Sequence, residues 1–473
     1  MPDGDVQTSQ PGGAVPNGGS RDVVGADTAY ERLTAAIDGS DLPNYVYSYP
    51  SKRAYRHLDP PMTIAQAWGD HRGPVNLYVH IPFCGYRCSF CTLFLTTNPP
   101  PDLVDRYVAS LRRQLAMYGE LLGGSEVVSV YVGGGTPTTL TPAQFTDLVT
   151  GIHEAFPHRS PDMEFAVEGS PDTMERTLLT TMRDLGVNRI SMGVQTLDPE
   201  EARRAGRRYP IDRVHEAAAL ISDVGFDNVN YDLIYGLEGQ TPQSWRRSLE
   251  GTLALGPDTV TLYPIVFRPL TVIGRHHDRS AQEFLDNSAK YALYDEAVDT
   301  LGAMGFRQNT FVRFSRRPVD GLLQEVSDFA GTPLLGLGAG ARSYSTLLHH
   351  STDFAVRSPS TAEIISGFVD HDHTPDQAPS IGFVMDADET RRRLCILNLS
   401  LGRLDRGAYE LATGASLEDW SEELDALVAA GCATREVDGS VVLTRLGFRF
   451  SNVIATLFQS PAVNALEGAY VPV

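Results

Sequence analysis

From residue 75 onward, six short runs rich in β-branched and aromatic residues recur in series: VNLYVHI, VVSVYVGG, MEFAVEG, NRISMGVQT, NVNYDLIYG and TVTLYPIVF. Between them lie amphipathic helical patterns such as LVDRYVASLRRQLAMYGELL and PAQFTDLVTGIHEAF. Neighbouring parallel strands need crossovers of a dozen or more residues, so six strand–helix units in series imply a parallel sheet with helical crossovers. The near-continuous apolar character of the runs suits burial on both faces of that sheet. The expected architecture is α/β: a partial, six-unit β/α barrel of the TIM type over residues 75–310. A barrel extension and connecting segment, holding the glycine-rich LLGLGAGARSY, follows over residues 311–380.

The flanks read differently. Residues 1–29 are rich in Gly, Pro, Ser and Asp and form an expected disordered tail. Residues 30–74, with the tyrosine-rich NYVYSYPSKRAYR, form an ordered lead-in. Residues 381–473 read as helices, a hairpin around Asp438-Gly439 and a last helix, a winged-helix-like pattern. DNA binding is the weaker use of that pattern, because the net charge of −20 repels phosphate backbones. The short basic run Arg391-Arg392-Arg393 reads as a solvated helix face. No stretch approaches the roughly 18 apolar residues of a spanning helix, and the first residues carry no secretory signal pattern. With five cysteines, an odd number, the expectation is a reducing cytoplasm, where clustered thiols mean metal or redox chemistry.

Three of those cysteines fall in CGYRCSFCTLF, residues 84–94. A structural zinc site draws four ligands, commonly as two separated pairs. Three thiols from one loop fit instead a [4Fe–4S] cluster with one iron left open, and soft thiolates favour such clusters. Cys395 and Cys432 sit among apolar residues and read as small buried hydrophobes. The loop directly follows the first strand, and in a β/α barrel functional groups collect at the C-terminal strand ends. Gly133-Gly134-Gly135-Thr136-Pro137 follows the second strand, Glu168 ends the third and Gln195 the fourth, and Asp232 lies in the fifth. Glycines let backbone approach a ligand closely. Glu168 would hold an ammonium, Asp232 a ribose, and Arg207 a carboxylate in bidentate fashion. Each also has a bland reading, as a strand-end cap, an ion-pair partner or a backbone contact. A ligand carrying all three groups is an aminoacyl nucleoside such as S-adenosylmethionine.

YVHIPFCGYRCSFC, YVGGGTPT, VEGSPD, NRISMGVQT, YDLIYGLEGQT and LLGLGAGARSY together resemble the HemN-like branch of the radical S-adenosylmethionine enzymes, from about Tyr45 to near residue 458. That branch includes oxygen-independent coproporphyrinogen III oxidases, haem chaperones such as HemW, haem-degrading methyltransferases and the class C radical methylases. The resemblance implies that Cys84, Cys88 and Cys91 ligate the cluster. It implies a first S-adenosylmethionine held by Tyr78, Gly134 and Glu168. A second would lie against Phe90, Gly135, Thr136, Gln195, Arg207, Asp232, Val266 and Arg342. Two departures point within the branch. Position 93 is Leu where the oxidases carry a further cysteine, and Gly206-Arg207-Arg208-Tyr209 replaces Gly-Arg-x-His. The ending Thr92-Leu93-Phe94 looks more like the class C methylases. The expected function is therefore methyl or methylene transfer from the second cofactor to an sp² carbon of an aromatic natural-product intermediate, giving C-methylation or cyclopropanation. The expected partners are a flavodoxin or ferredoxin donor, a small aromatic substrate and a companion methyltransferase. The alternatives are a coproporphyrinogen III oxidase, a haem chaperone without turnover, and a zinc or redox module.

Overall fold

Residues 28–40, 45–69, 71–268, 271–316, 321–352 and 358–470 are described in a computed structural model. The expected disordered tail lies outside these residues except at its end, where a helix, Ala29–Asp38, begins behind a capping box of Thr28 and Glu31.

The six runs form strands β1 (Val75–Ile81), β2 (Val127–Gly134), β3 (Arg159–Gly169), β4 (Arg189–Gln195), β5 (Asn228–Tyr235) and β6 (Thr259–Pro264). Each pairs in parallel with the next. All of β1 except Tyr78 is buried, because helices cover one face and the barrel interior the other. The first crossover helix, Pro101–Leu122, starts with Pro at its first turn, where a missing N–H costs nothing. It packs Tyr107, Leu111, Leu115, Tyr118 and Leu122 into the main core. The second, Pro142–Ala155, opens on a capping box of Thr141 and Gln144.

The segment expected to extend and connect the barrel is part of the same sheet. Further strands are β7 (Arg307–Gln308), β8 (Arg313–Ser315), β9 (Leu334–Leu337), β10 (Arg342–Tyr344), β11 (Leu348–Ser351) and β12 (Ile381–Val384). The twelve strands run in the order β12-β11-β10-β9-β1-β2-β3-β4-β5-β6-β8-β7. β9 is a seventh parallel strand, pairing with β1 on the side away from β2. β8 closes the other margin, antiparallel to β6. β10 to β12 turn back as an antiparallel meander.

The C-terminal region builds a second core around Leu394, Leu397, Leu424, Leu427, Val441 and Phe458. Its small sheet sets Val441–Leu443 between Arg403–Leu404 and Ala433–Arg435. The same core takes in Leu33, Tyr49 and Ala54, so the N-terminal lead-in packs with the C-terminal helices. Tyr49 Oη donates to Glu389 Oε2 at 2.6 Å and accepts from the Ser460 N–H at 3.0 Å. The run Arg391–Arg393 does not form a uniformly solvated face. Arg391 and Arg392 pair with Asp388, but Arg393 is 6% exposed and bonds to Asp328 at 2.7 Å. That buried pair ties the C-terminal helix Ala387–Ser400 to Leu323–Phe329, the helix preceding β9.

Candidate active site

The thiol loop leaves β1 through Phe83–Cys84, which pairs briefly with Thr96–Thr97. Two bonds lock it to the turn after β2: Gly135 N–H donates to Ile81 O and Thr136 N–H to Phe83 O, both at 2.8 Å. Thr136 Oγ1 lies 3.1 Å from Cys84 Sγ. Across the mouth, Ser89 N–H donates to Ala205 O at 3.0 Å, and Ile273 N–H donates to Ser89 O at 3.0 Å. The loop is thus pinned to the segments following β2, β4 and β6. Burial pushes the Cys84 thiol up to about 12 and the Cys91 thiol up to about 11, each also feeling the neighbouring cysteines. Such thiols ionise when a cation replaces the proton, which is what a thiolate-bound cluster requires.

Glu168, at the end of β3, accepts from Tyr131 Oη at 2.6 Å and from the Gly134 N–H at 3.1 Å. Burial raises its carboxyl to about 7 against these two stabilising bonds, with nearby Asp232 adding to the rise. Gly134 has φ of 113°, and a Cβ there would sit 2.6 Å from the His80 ring. His80 Nε2 lies 2.8 Å from the Phe94 carbonyl, which only accepts, so Nε2 carries the proton and Nδ1 accepts from Tyr78 Oη at 3.0 Å. Burial holds His80 down near 4, so the ring is neutral. Tyr78, Gly134 and Glu168 are therefore joined through His80 and Tyr131, two residues that the sequence motifs did not single out.

A second group assembles around Gly193 of β4. Its ideal Cβ would meet Gln195 Nε2 at 2.6 Å and the Arg207 guanidinium at 3.1 Å, so only a glycine allows both side chains to approach. Arg207 donates to Gly193 O at 3.0 Å, and its guanidinium lies over the Phe90 ring at 5.9 Å and the Tyr209 ring at 5.6 Å. Asp232 is the register partner of Gly193 on β5 and takes a bond from Asn230 at 2.8 Å. Burial raises its carboxyl. Gln195 Oε1 and Arg207 Nε are buried without a protein partner, leaving both atoms open to a ligand or water. Gln195 also holds φ of 69°, strained for a residue with a side chain. Val266 is half-buried in the loop after β6. Arg342 opens β10, its guanidinium 5.2 Å over the Tyr47 ring, and shows no contact with Gln195 or Arg207. A thiol triplet, a carboxylate held by one phenol and one backbone donor, and two partnerless polar atoms fit a cluster and an amino-acid nucleoside.

The seven-strand parallel sheet with a three-thiol loop at its C-terminal mouth has the radical S-adenosylmethionine fold, and residues 78–250 match the model of the Radical SAM superfamily. Within that class the similarities support the HemN-like family. The chain is 33% identical over 227 residues to the oxygen-independent coproporphyrinogen III oxidase of Helicobacter pylori, covering 47% of this chain and 50% of that one. It is 27% identical to the haem chaperone HemW of Bacillus subtilis, covering 57% and 70%. The match thus spans about half the length of the first relative. The fold superposes on Escherichia coli HemN, a coproporphyrinogen III oxidase and radical SAM enzyme, with a TM-score of 0.75 at 24% identity, covering 90% of this chain and 98% of that one. The family implies a [4Fe–4S] cluster and S-adenosylmethionine.

These similarities overturn the expected methyl or methylene transfer and cyclopropanation, and give no support to a natural-product setting. At the two departures, Leu93 is 47% exposed and the Tyr209 ring lies 5.6 Å from the Arg207 guanidinium. Among the described residues no helix is long and apolar enough to cross a membrane.

Proposed function

We propose that this radical SAM enzyme oxidatively decarboxylates a propionate-bearing tetrapyrrole of the coproporphyrinogen type. The observation that carries the reading is the convergence of the three thiols, the Gly134–Glu168 pair, and the partnerless Gln195 Oε1 and Arg207 Nε at one mouth, within sequence that is 33% identical to an oxidase. Cys84, Cys88 and Cys91 would hold the cluster. Tyr78, Gly134 and Glu168 would hold one S-adenosylmethionine; Phe90, Gly135, Thr136, Gln195, Arg207 and Asp232, with Val266 and Arg342 at the margins, would serve a second. When bound, these groups would supply one-electron chemistry that takes a hydrogen atom from a propionate arm; carbon dioxide then leaves and an external one-electron acceptor takes the remaining electron as the vinyl group forms.

The chain's own residues bind, orient and exclude water. Glu168 favours its ionised form once an ammonium faces it, and the Tyr131 and Gly134 donors fix its two oxygens. Neutral His80 holds the Tyr78 hydroxyl in place without adding charge beside the thiols. The Tyr45 ring, 5.5 Å from Tyr263 of β6, covers part of the mouth against solvent. A flavodoxin or ferredoxin would supply the electron.

Anaerobically reconstituted protein, given reductant, S-adenosylmethionine and coproporphyrinogen III, should release carbon dioxide and form vinyl products. Cofactor deuterated in its methyl group should leave no deuterium in 5′-deoxyadenosine. Stoichiometric haem binding without decarboxylation would replace the oxidase reading with that of a chaperone.

A further inference from the structure

Inside the barrel, one cation stands apart from the cofactor groups. Arg313 opens β8 and is 7% exposed. It pairs in register with Thr261 of β6, and Thr261 pairs with Asp232 of β5, so the three lie in one row across the sheet. All three line one polar cavity in the barrel interior, together with Arg189, Tyr131 and Tyr263. Tyr131 joins that cavity to the other carboxylate, because its hydroxyl donates to Glu168. Arg189 is committed elsewhere: it pairs with Glu164 at 3.2 Å and donates to Gly321 O at 2.9 Å. Arg313 Nε lies 3.5 Å from Glu325 Oε2, an ion pair without a hydrogen bond, and that Nε is buried with no hydrogen-bond partner. Buried polar groups are normally hydrogen-bonded, so this guanidinium acts here through its charge.

The surrounding charges decide what it serves. Arg189 and Arg313 stand among four acids: Glu164, Glu325, Asp232 and Glu168. A substrate carboxylate would enter a place already rich in negative charge, whereas the ammonium and sulfonium of S-adenosylmethionine would be favoured there. Burial raises the Asp232 and Glu168 carboxyls, and the charge of Arg313 acts against the rise at each.

We propose that Arg313 is a positioning residue of the cofactor site, the counter-charge that keeps Asp232 and Glu168 together as anions ready for a cationic ligand. This rests on the assignment of those two carboxylates to S-adenosylmethionine. Two carboxylates in one water-poor interior raise each other's affinity for protons, and a guanidinium opposes this without titrating itself.

Reconstituted full-length protein, as wild type, Arg313→Gln and Arg313→Lys, is titrated with S-adenosylmethionine by equilibrium dialysis over about pH 6 to 9, the range that spans a raised carboxyl. Iron content is measured on the same samples and should match in all three. Affinity should rise with pH as the carboxyls ionise. Arg313→Gln should move that rise upward by roughly one pH unit, the effect of one charge about 10 Å away. Binding is then weakened near neutral pH and recovered at the alkaline end, and Arg313→Lys should restore the wild-type profile. An unmoved midpoint in Arg313→Gln overturns the counter-charge and leaves the cofactor assignment standing. A loss by one factor at every pH, or a lysine variant that behaves as the glutamine one, makes the residue structural and also overturns it. Should Arg313→Gln not fold, adding Asp232→Asn removes both charges and should recover folding and iron loading; a double variant as defective as the single one overturns the proposal. If wild type binds no S-adenosylmethionine, the assignment of Glu168 and Asp232 falls and the counter-charge with it.

Discussion

Glu168 carries a pH signature of its own. Its carboxyl titrates near 7 in the cofactor-free fold against 4.5 for the ordinary group, so the folded chain holds a proton that the unfolded chain has released between those values. A raised carboxyl contributes its full stability below the unfolded value and loses it as pH rises through the folded one. Glu168→Gln should therefore stabilise the cofactor-free protein at pH 8 by on the order of 2–3 kcal/mol and have little effect at pH 4.5, read from urea midpoints. An equal effect at both pH values would mean that Glu168 is ionised throughout. The thiols give the second test. Cys88→Ala should leave the fold intact and abolish iron uptake, because Cys88 is half-buried in a loop outside the cores. Cys395→Ala should keep its iron at a packing cost of roughly 1 kcal/mol, read from metal analysis beside thermal unfolding. The cysteines were legible because metal chemistry is written in residue type and spacing. His80, Tyr131 and Gly193 were not, because each acts through a contact made only when separate strands come into register.

Strands of six to eleven residues carried their own period, and six of them could be placed from sequence. β9 escaped because LLGL is four residues long inside a glycine-rich run, and β8 because it is shorter still. Each is held by the two neighbours it pairs with more than by its own propensity. The end of β4 shows how an element can shape a site without touching a ligand. Gly193→Ala needs no unusual backbone angle, but its methyl would displace Gln195 and Arg207. This variant should retain its iron and bind one S-adenosylmethionine fewer per chain than wild type, counted by equilibrium dialysis. Unchanged stoichiometry would separate Gln195 and Arg207 from cofactor binding.

At the scale of the whole chain, two cores are joined by few but costly contacts. Arg393→Met would leave Asp328, 5% exposed, without its partner, and removing one side of a buried pair costs about 3–5 kcal/mol. Denaturant unfolding should show that loss; a cost below 1 kcal/mol would mean that water already reaches the pair. The division into barrel and C-terminal helices could be read from a change of texture, but the attachment of Leu33, Tyr49 and Ala54 to the far end of the chain could not, since no local pattern encodes a partner more than 300 positions away. That attachment bears on the order of events during synthesis. β1 to β10 have all left the ribosome by Tyr344, while Glu389 and Ser460, which anchor Tyr49, are made later. At ~5–20 residues per second the interval is on the order of ten seconds. During it the tyrosine-bearing segment lacks the two bonds that anchor Tyr49, and the thiol loop is more open to iron delivery. Nascent chains arrested just past residue 380 should therefore take up iron faster than finished, cluster-free protein, whose mouth has already been covered.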